Sequence, residues 1–483
     1  MEQLHGQDAV FLYRETSAAP LHTSTLQIFD PSSLPDEKVP FKAILAQVQD
    51  RLHLFPRSRQ KLVEVPLHVD HPYWVEDNDF DLEFHVRNIA LPEPGDWRHL
   101  CILAARINSR PLDLARPLWE VYVINGLSNV HGLPKGSFAV LTKIHNSALG
   151  QSPVARAKHR RFRPINDAIL DDSPEPVVDF PKSNWAPERT PRPLELLTRA
   201  WVNNLLQPFK LARVLGGHIP ELTALTSEGS LTGLRSLRQV PRTRFNRHVT
   251  PHRVIDGAAF DLKTLSQIKD VVTGATINDV IISICGGAVR KYLRAKAELP
   301  GKELMALAPV SVDRGKGKTG AVNMTLTLGA HEEDALERLE AVRDAAQSTG
   351  AMDKAIGAEL MTDFNTHAPG MTAALGSRLM AGVATINRIT PMFNCTITNV
   401  PGPQKPLYLC GAKLVSVHGI GPVMDGAGLN FTAFSYCGEV TITLTACRGI
   451  VGDPAFFADC LEQAYADLKH ASLARRKRRF KVA

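Results

Sequence analysis

The chain is poor in the features that announce a metal centre, a disulfide scaffold or a membrane span. Its seven cysteines (Cys101, Cys285, Cys395, Cys410, Cys437, Cys447 and Cys460) are scattered, odd in number and form no C-x-x-C pair. Neither a zinc site nor a disulfide framework is expected, and free, mostly buried thiols in a reducing cytoplasm are the simplest account. No uninterrupted run of about 18 apolar residues occurs, which argues against a transmembrane helix and leaves peripheral membrane contact. The opening MEQLHGQDAVFLYRE carries acidic residues early and lacks the basic-then-apolar order of a signal peptide. No repeat with a period of about 20–50 residues appears, so a repeat architecture is not indicated.

What is present is an ordinary globular composition, 44% hydrophobic and 22% charged, over 483 residues. That length exceeds the roughly 250–300 residues at which a single core stops growing, so two domains are expected. The formal net charge of +7 is unevenly spread, with dense basic runs at Arg156 to Arg163 (RAKHRRFR) and Arg475 to Lys481 (RRKRRFK). Such clusters attract nucleic acid, an anionic membrane or a polyphosphate ligand, or are simply a solvated face. The second run has Phe480 as its one aromatic, and no nucleic-acid motif accompanies it, so no nucleic-acid partner is assigned.

The periodicities read as α/β with mixed sheets, in two halves. In the first half, Phe41 to Leu54 and His99 to Ser109 have apolar residues at helical spacing, while Trp119 to Ile124 and Phe138 to Ile144 suit buried strands. Prolines 174, 176, 181, 187, 191 and 193 then mark a connector, which contains an amphipathic stretch from Leu194 to Leu215 that Pro208 should break. Such a stretch either lies in a bilayer interface or packs across the domains. In the second half, Thr264 to Val272 and Thr276 to Leu293 read as helices, the latter capped by Thr276 or Asn278. Glu303 to Val312, Val322 to Leu328, Cys395 to Val400, Lys413 to Val417 and Val440 to Cys447 read as strands, and Asp453 to Leu468 as a closing helix. The expected domains are 1–180, a connector over 181–250, a second domain over 251–470 and a basic tail over 471–483.

Six passages occur in one order along nearly the whole chain: Arg110-Pro111-Leu112-Asp113 with Arg116-Pro117-Leu118-Trp119-Glu120; Asn278-Asp279-Val280; Pro309-Val310-Ser311-Val312; Asn399-Val400-Pro401-Gly402-Pro403; Asp425-Gly426-Ala427-Gly428-Leu429-Asn430; and Ser435-Tyr436. Each alone is weak, since NVPGP is also a good turn. Together they resemble the bacterial wax ester synthase/diacylglycerol acyltransferase family. The resemblance implies two CoA-dependent-acyltransferase-like domains with mixed sheets and an interdomain tunnel. It implies acyl-CoA as co-substrate, no further cofactor, no metal, and a diacylglycerol or fatty alcohol as acceptor. A cytoplasmic protein held peripherally at the inner membrane or lipid droplets is the matching location. In the family's HHxxxDG motif the second histidine takes the proton from the acceptor hydroxyl, and the aspartate mainly holds the local geometry.

The corresponding stretch here reads Lys143-Ile144-His145-Asn146-Ser147-Ala148-Leu149-Gly150. With Lys-Ile as the anchor, His145 matches the first histidine and Asn146 the second. Gly150 then falls at the aspartate, or the aspartate is deleted and Gly150 matches the motif's glycine. With Gly150 as the anchor and no gap, His145 is the catalytic histidine and Leu149 replaces the aspartate; that register flips the strand's faces, which a half-buried strand resists. An imidazole with a pKa near ~6.5 can take the hydroxyl proton, whereas an amide oxygen only accepts hydrogen bonds. Asn278 is either a helix cap or the donor to the tetrahedral oxyanion. After the motif, Pro153 to Pro164 (PVARAKHRRFRP) is basic and lacks helical periodicity, as decay or a reading-frame slip would leave it. The competing readings are an acyltransferase, a catalytically impaired relative that binds acyl-CoA or lipid, and a peptide-synthetase condensation domain; the PLWE and NVPGP passages count against the last.

Overall fold

The computed structural model describes residues 1–150, 163–175, 189, 191–203, 205, 240–313, 319–347 and 391–482. These fall into two compact units. The first takes the described residues up to 205 together with Lys405–Val417, and the second takes the remainder.

The first unit contains β1 (Glu2–Gln3), β2 (His22–Asp30), β3 (Gln60–Val63), β4 (Tyr73–Glu76), β5 (Val86–Ala90), β6 (Trp119–Asn125) and β7 (Phe138–His145). Its helices are α1 (Gly6–Arg14), α2 (Phe41–Arg51), α3 (Trp97–Asn108) and α4 (residues 193–203). The second unit contains β8 (Arg253–Asp261), β9 (Met305–Asp313), β10 (Thr319–Thr327) and β11 (Cys395–Pro401). The chain then makes β12 (Tyr408–Leu409) and β13 (Ala412–Ile420), followed by β14 (Leu429–Tyr436) and β15 (Glu439–Cys447). The second unit's helices are α5 (Leu262–Lys269), α6 (Ile277–Ala295), α7 (Ala335–Gln347) and α8 (Pro454–Val482).

Two six-stranded mixed sheets organise the units, one ordered β12-β13-β2-β7-β6-β5 and the other β10-β9-β11-β14-β15-β8. In the first, β5 runs parallel to β6 while β6, β7 and β2 are antiparallel neighbours. In the second, β11 runs parallel to both β9 and β14. A small antiparallel sheet, β1-β4-β3, lies in the first unit beneath α4. There Leu196 and Ala200 pack on Val65, Tyr73 and Val75, while Leu194, Trp201 and Leu205 are exposed.

Several sequence expectations need correction. α2 stops at Arg51 and continues as a 3-10 turn over Leu52–Leu54. The closing helix does not end near Leu468: α8 runs to Val482 and carries the basic run on helical backbone. Arg475 pairs with Glu340 of α7 at 2.5 Å, and Arg476 donates to the Gln267 carbonyl of α5, so part of that charge is already engaged. Thr276, not Asn278, caps α6, in a capping box with Asp279. β7 is buried at every residue, on both faces, so it is not the half-buried strand assumed above. Residues 153–162 and the Pro208 break lie outside the described residues. All seven cysteines are free; five are buried, with Cys437 exposed and Cys410 between.

The pair Gly286-Gly287 inside α6 is a packing requirement. A Cβ at Gly286 would lie 1.9 Å from the Leu328 carbonyl oxygen, and one at Gly287 would lie 2.9 Å from Ala464 Cβ of α8. Helix propensity favours alanine over glycine by about 1 kcal/mol, but a backbone clash overrides that gain. Gly286→Ala is therefore expected to destabilise the second unit by about 1–3 kcal/mol, read as a lowered urea midpoint.

Candidate active site

The degenerate motif begins at the last residue of β7. His145 is paired across the ladder with His22 of β2, and residues Asn146–Leu149 form a 3-10 turn closed by Gly150. Gly150 sits at φ 56° and ψ 50°, the left-handed region that glycine fills without cost. His145, Asn146 and Ser147 are all buried.

Alternation at the end of the strand sends His145 and Asn146 to opposite sides. On the His145 side lies α3: His22 Nε2 donates to the Asn108 carbonyl at 2.8 Å, and Ser24 Oγ donates to Asn108 Oδ1 at 2.8 Å. Lys143, fully buried, reaches the carbonyls of Arg110 and Ile107 and lies 3.5 Å from the Glu120 carboxylate. Burial lowers its pKa, against the pull of Glu120. The RPLD and PLWE passages thus meet the motif strand through one ammonium group. Burial also pushes the His22 pKa well below its usual value, with Lys143 adding to the shift.

His145 is enclosed. Its Nδ1 accepts the Ser147 backbone N–H at 3.2 Å and lies 2.7 Å from Ser147 Oγ. That acceptance puts the proton of the neutral ring on Nε2, which lies 3.3 Å from Glu15 Oε2 without hydrogen-bond alignment. On the other side, Asn146 Oδ1 accepts from Thr23 Oγ1 at 2.7 Å, and the Asn146 N–H donates to the Leu21 carbonyl at 3.1 Å.

Asn278 belongs to the second unit, in the first turn of α6. Its Oδ1 accepts from Asn399 Nδ2 of NVPGP at 3.3 Å. The NVPGP, DGAGLN and SY passages are joints as well. The Gly402 N–H donates to Ser435 Oγ at 3.1 Å, Asp425 Oδ1 accepts the Val249 N–H at 2.8 Å, and Asn430 Nδ2 donates to Thr396 Oγ1 at 2.7 Å. Sequence reasoning missed Glu15, His22, Thr23 and Asn108, whose contacts with His145, Asn146 and each other join parts of the chain far apart in sequence, with no local spacing to reveal them.

Burial of neutral histidines has a consequence for pH. His418 is held at about 4 by burial, and His22 is also well below its usual value. In the unfolded chain both protonate near pH ~6.5, so the stability they lend is complete above that pH and is lost as pH falls toward about 4. For His418 alone, moving from pH ~7 to ~4.5 should cost about 2–3 kcal/mol. Urea titrations at the two pH values read this, and His418→Gln should flatten the dependence.

Two helix-covered mixed sheets of this topology define the class: a CoA-dependent-acyltransferase-like fold. A likeness of fold alone extends to the first condensation domain of the calcium-dependent antibiotic synthetase, at TM-score 0.50 and 12% identity over 98% of this chain and 96% of that one. The chain itself belongs to the wax ester synthase/diacylglycerol acyltransferase family: residues 4–281 match its catalytic domain and residues 318–469 its C-terminal domain. A Mycobacterium tuberculosis (strain CDC 1551) protein with a provisional diacylglycerol O-acyltransferase name is 31% identical over 98% of this chain and 91% of its own length. O-acyltransferase WSD of Acinetobacter baylyi is 29% identical over 93% of this chain and 93% of its own length. The structure of the wax ester synthase/diacylglycerol acyltransferase from Marinobacter aquaeolei VT8 superposes at TM-score 0.67 with 27% identity, covering 98% of this chain and all of that one.

Proposed function

We propose that this chain is an acyl-CoA-dependent O-acyltransferase acting on diacylglycerol or a long-chain alcohol, and that Asn146 makes its transfer slow. In that reaction the acceptor oxygen attacks the thioester carbonyl, the hydroxyl proton passes to a base and CoA leaves as the thiol. The observation that carries the reading is the pairing of Asn146 Oδ1 with Thr23 while both His145 nitrogens face protein groups. An amide cannot take the proton, and an enclosed imidazole is badly placed to substitute. This supports matching His145 to the motif's first histidine and Asn146 to its second. Asn278, held through Oδ1 by Asn399, is the proposed donor to the oxyanion. The test is palmitoyl-CoA binding by calorimetry beside radiolabelled transfer to hexadecanol and to diacylglycerol. Binding with slow transfer, unchanged in His145→Ala, is expected. Fast transfer abolished in His145→Ala would instead make His145 the base.

The exposed row Leu194, Trp201 and Leu205, with Arg199 beside it, supports work at a lipid surface. Among the described residues no helix is long and apolar enough to cross a membrane. Trp201→Glu is expected to reduce flotation with anionic vesicles several-fold. Removing residues 475–481 should matter less, because Arg475 and Arg476 already have protein partners. Equal flotation of parent and Trp201→Glu would remove α4 from this account.

A further inference from the structure

We propose that Glu15, just beyond the end of α1, is a positioning residue that holds both residues of the motif turn with one carboxylate. This rests on the reading above, in which position 146 is where the hydroxyl proton is taken. Oε2 lies 3.3 Å from His145 Nε2, and Oε1 accepts the Leu21 N–H at 3.0 Å. The carbonyl of the same Leu21 accepts the Asn146 N–H at 3.1 Å. One carboxylate therefore lies against the ring of the first motif residue and, through a single intervening residue, holds the backbone of the second.

Glu15 is itself fixed. Its backbone N–H caps α1 on the Phe11 carbonyl at 3.2 Å, and α1 packs directly against the 146–149 turn. The Glu15 side chain is only 11% exposed, and the His145 side chain is fully buried. A carboxylate this enclosed requires polar or positive neighbours. It has the His145 ring and the Leu21 amide in contact and the Lys143 ammonium nearby; Lys143 also faces Glu120, and His22 stands opposite His145 in the ladder. A glutamine at this position would keep the bond to Leu21 and lose the attraction for His145, and an alanine would lose both. The turn would then be free to shift, and displacement of a reacting group by about 1 Å can cost on the order of 100-fold in rate.

The test has two arms. Amide hydrogen exchange of the full chain is compared in the parent, Glu15→Gln and Glu15→Ala. The expected result is exchange of the Asn146 amide at least about tenfold faster in Glu15→Ala and intermediate in Glu15→Gln, with residues 138–142 protected as in the parent. Unchanged exchange at Asn146, or acceleration spread equally over 138–142, would overturn the proposal; the latter marks a general structural role. In the Asn146→His background, both variants should lower kcat about 10- to 100-fold, less in Glu15→Gln, with KM for palmitoyl-CoA unchanged. An Asn146→His protein that is inactive with Glu15 intact counts against the functional reading alone, and the exchange arm then decides this one.

Discussion

Asn146→His is expected to raise acyl transfer from palmitoyl-CoA by about 10²–10⁴-fold, the usual contribution of a positioned general base. The substituted position lies at the end of a fully buried strand, in a turn whose backbone is tied to Leu21, so a new ring enters a defined frame. Thr23 Oγ1, now 2.7 Å from Asn146 Oδ1, is the first polar group that ring would meet. Orientation sets how much of the gain is realised, because the motif's aspartate is missing. Two repairs of that loss differ physically. Gly150→Asp places an L-residue at φ 56°, a conformation costing roughly 1–2 kcal/mol that aspartate tolerates better than most. Inserting an aspartate between Leu149 and Gly150 leaves glycine in the left-handed position. Combined with Asn146→His, the insertion is expected to outperform the substitution in radiolabelled transfer to hexadecanol and diacylglycerol. No gain from Asn146→His in either combination would sink the assignment of that position.

Trp119→Ala should destabilise the first unit by about 3–5 kcal/mol, the largest stability effect anticipated for this chain. Trp119 is fully buried, donates from Nε1 to the Ser58 carbonyl at 2.8 Å and stacks on the His85 ring at 4.6 Å between centroids. Its carbonyl also lies 2.7 Å from His85 Nδ1. Alanine leaves a cavity and an unpaired carbonyl together, whereas Trp119→Phe keeps most of the volume and should lose about 1–3 kcal/mol. Urea unfolding monitored by far-UV circular dichroism measures both. If Trp119→Ala proved neutral, the PLWE passage would need a role other than packing.

The sequence was most readable where period and composition agreed. Phe138 to Ile144 is a run of apolar and β-branched residues and is indeed a central strand, and Thr276 caps the long helix it precedes. It was least readable where glycine and polar residues sit in buried strands. β14 was seen only as the DGAGLN and SY passages, yet it is a central strand in which Asn430 and Thr432 are buried and hydrogen-bonded to each other. β2 was also missed, because polar His22, Ser24 and Gln27 are buried among its apolar residues and mask the alternation. The same cause hid part of the site: His145 and Asn146 could be found from a motif, but Glu15 and Thr23 touch them only through the fold.

The placement of β13 against β2 has a consequence for how the protein comes off the ribosome. β2 is finished at Asp30, but β13, the neighbour on its outer side, is not complete until Ile420. At about 5–20 residues per second, β2 waits tens of seconds as an unpaired sheet edge that carries Leu26, Ile28 and Phe29, all buried in the finished sheet. Such an edge invites pairing with other chains. A fragment ending near residue 205 would keep that edge permanently, so the two halves of this chain are poor candidates for separate expression, and slowing synthesis of the second half should send more of the product into aggregates.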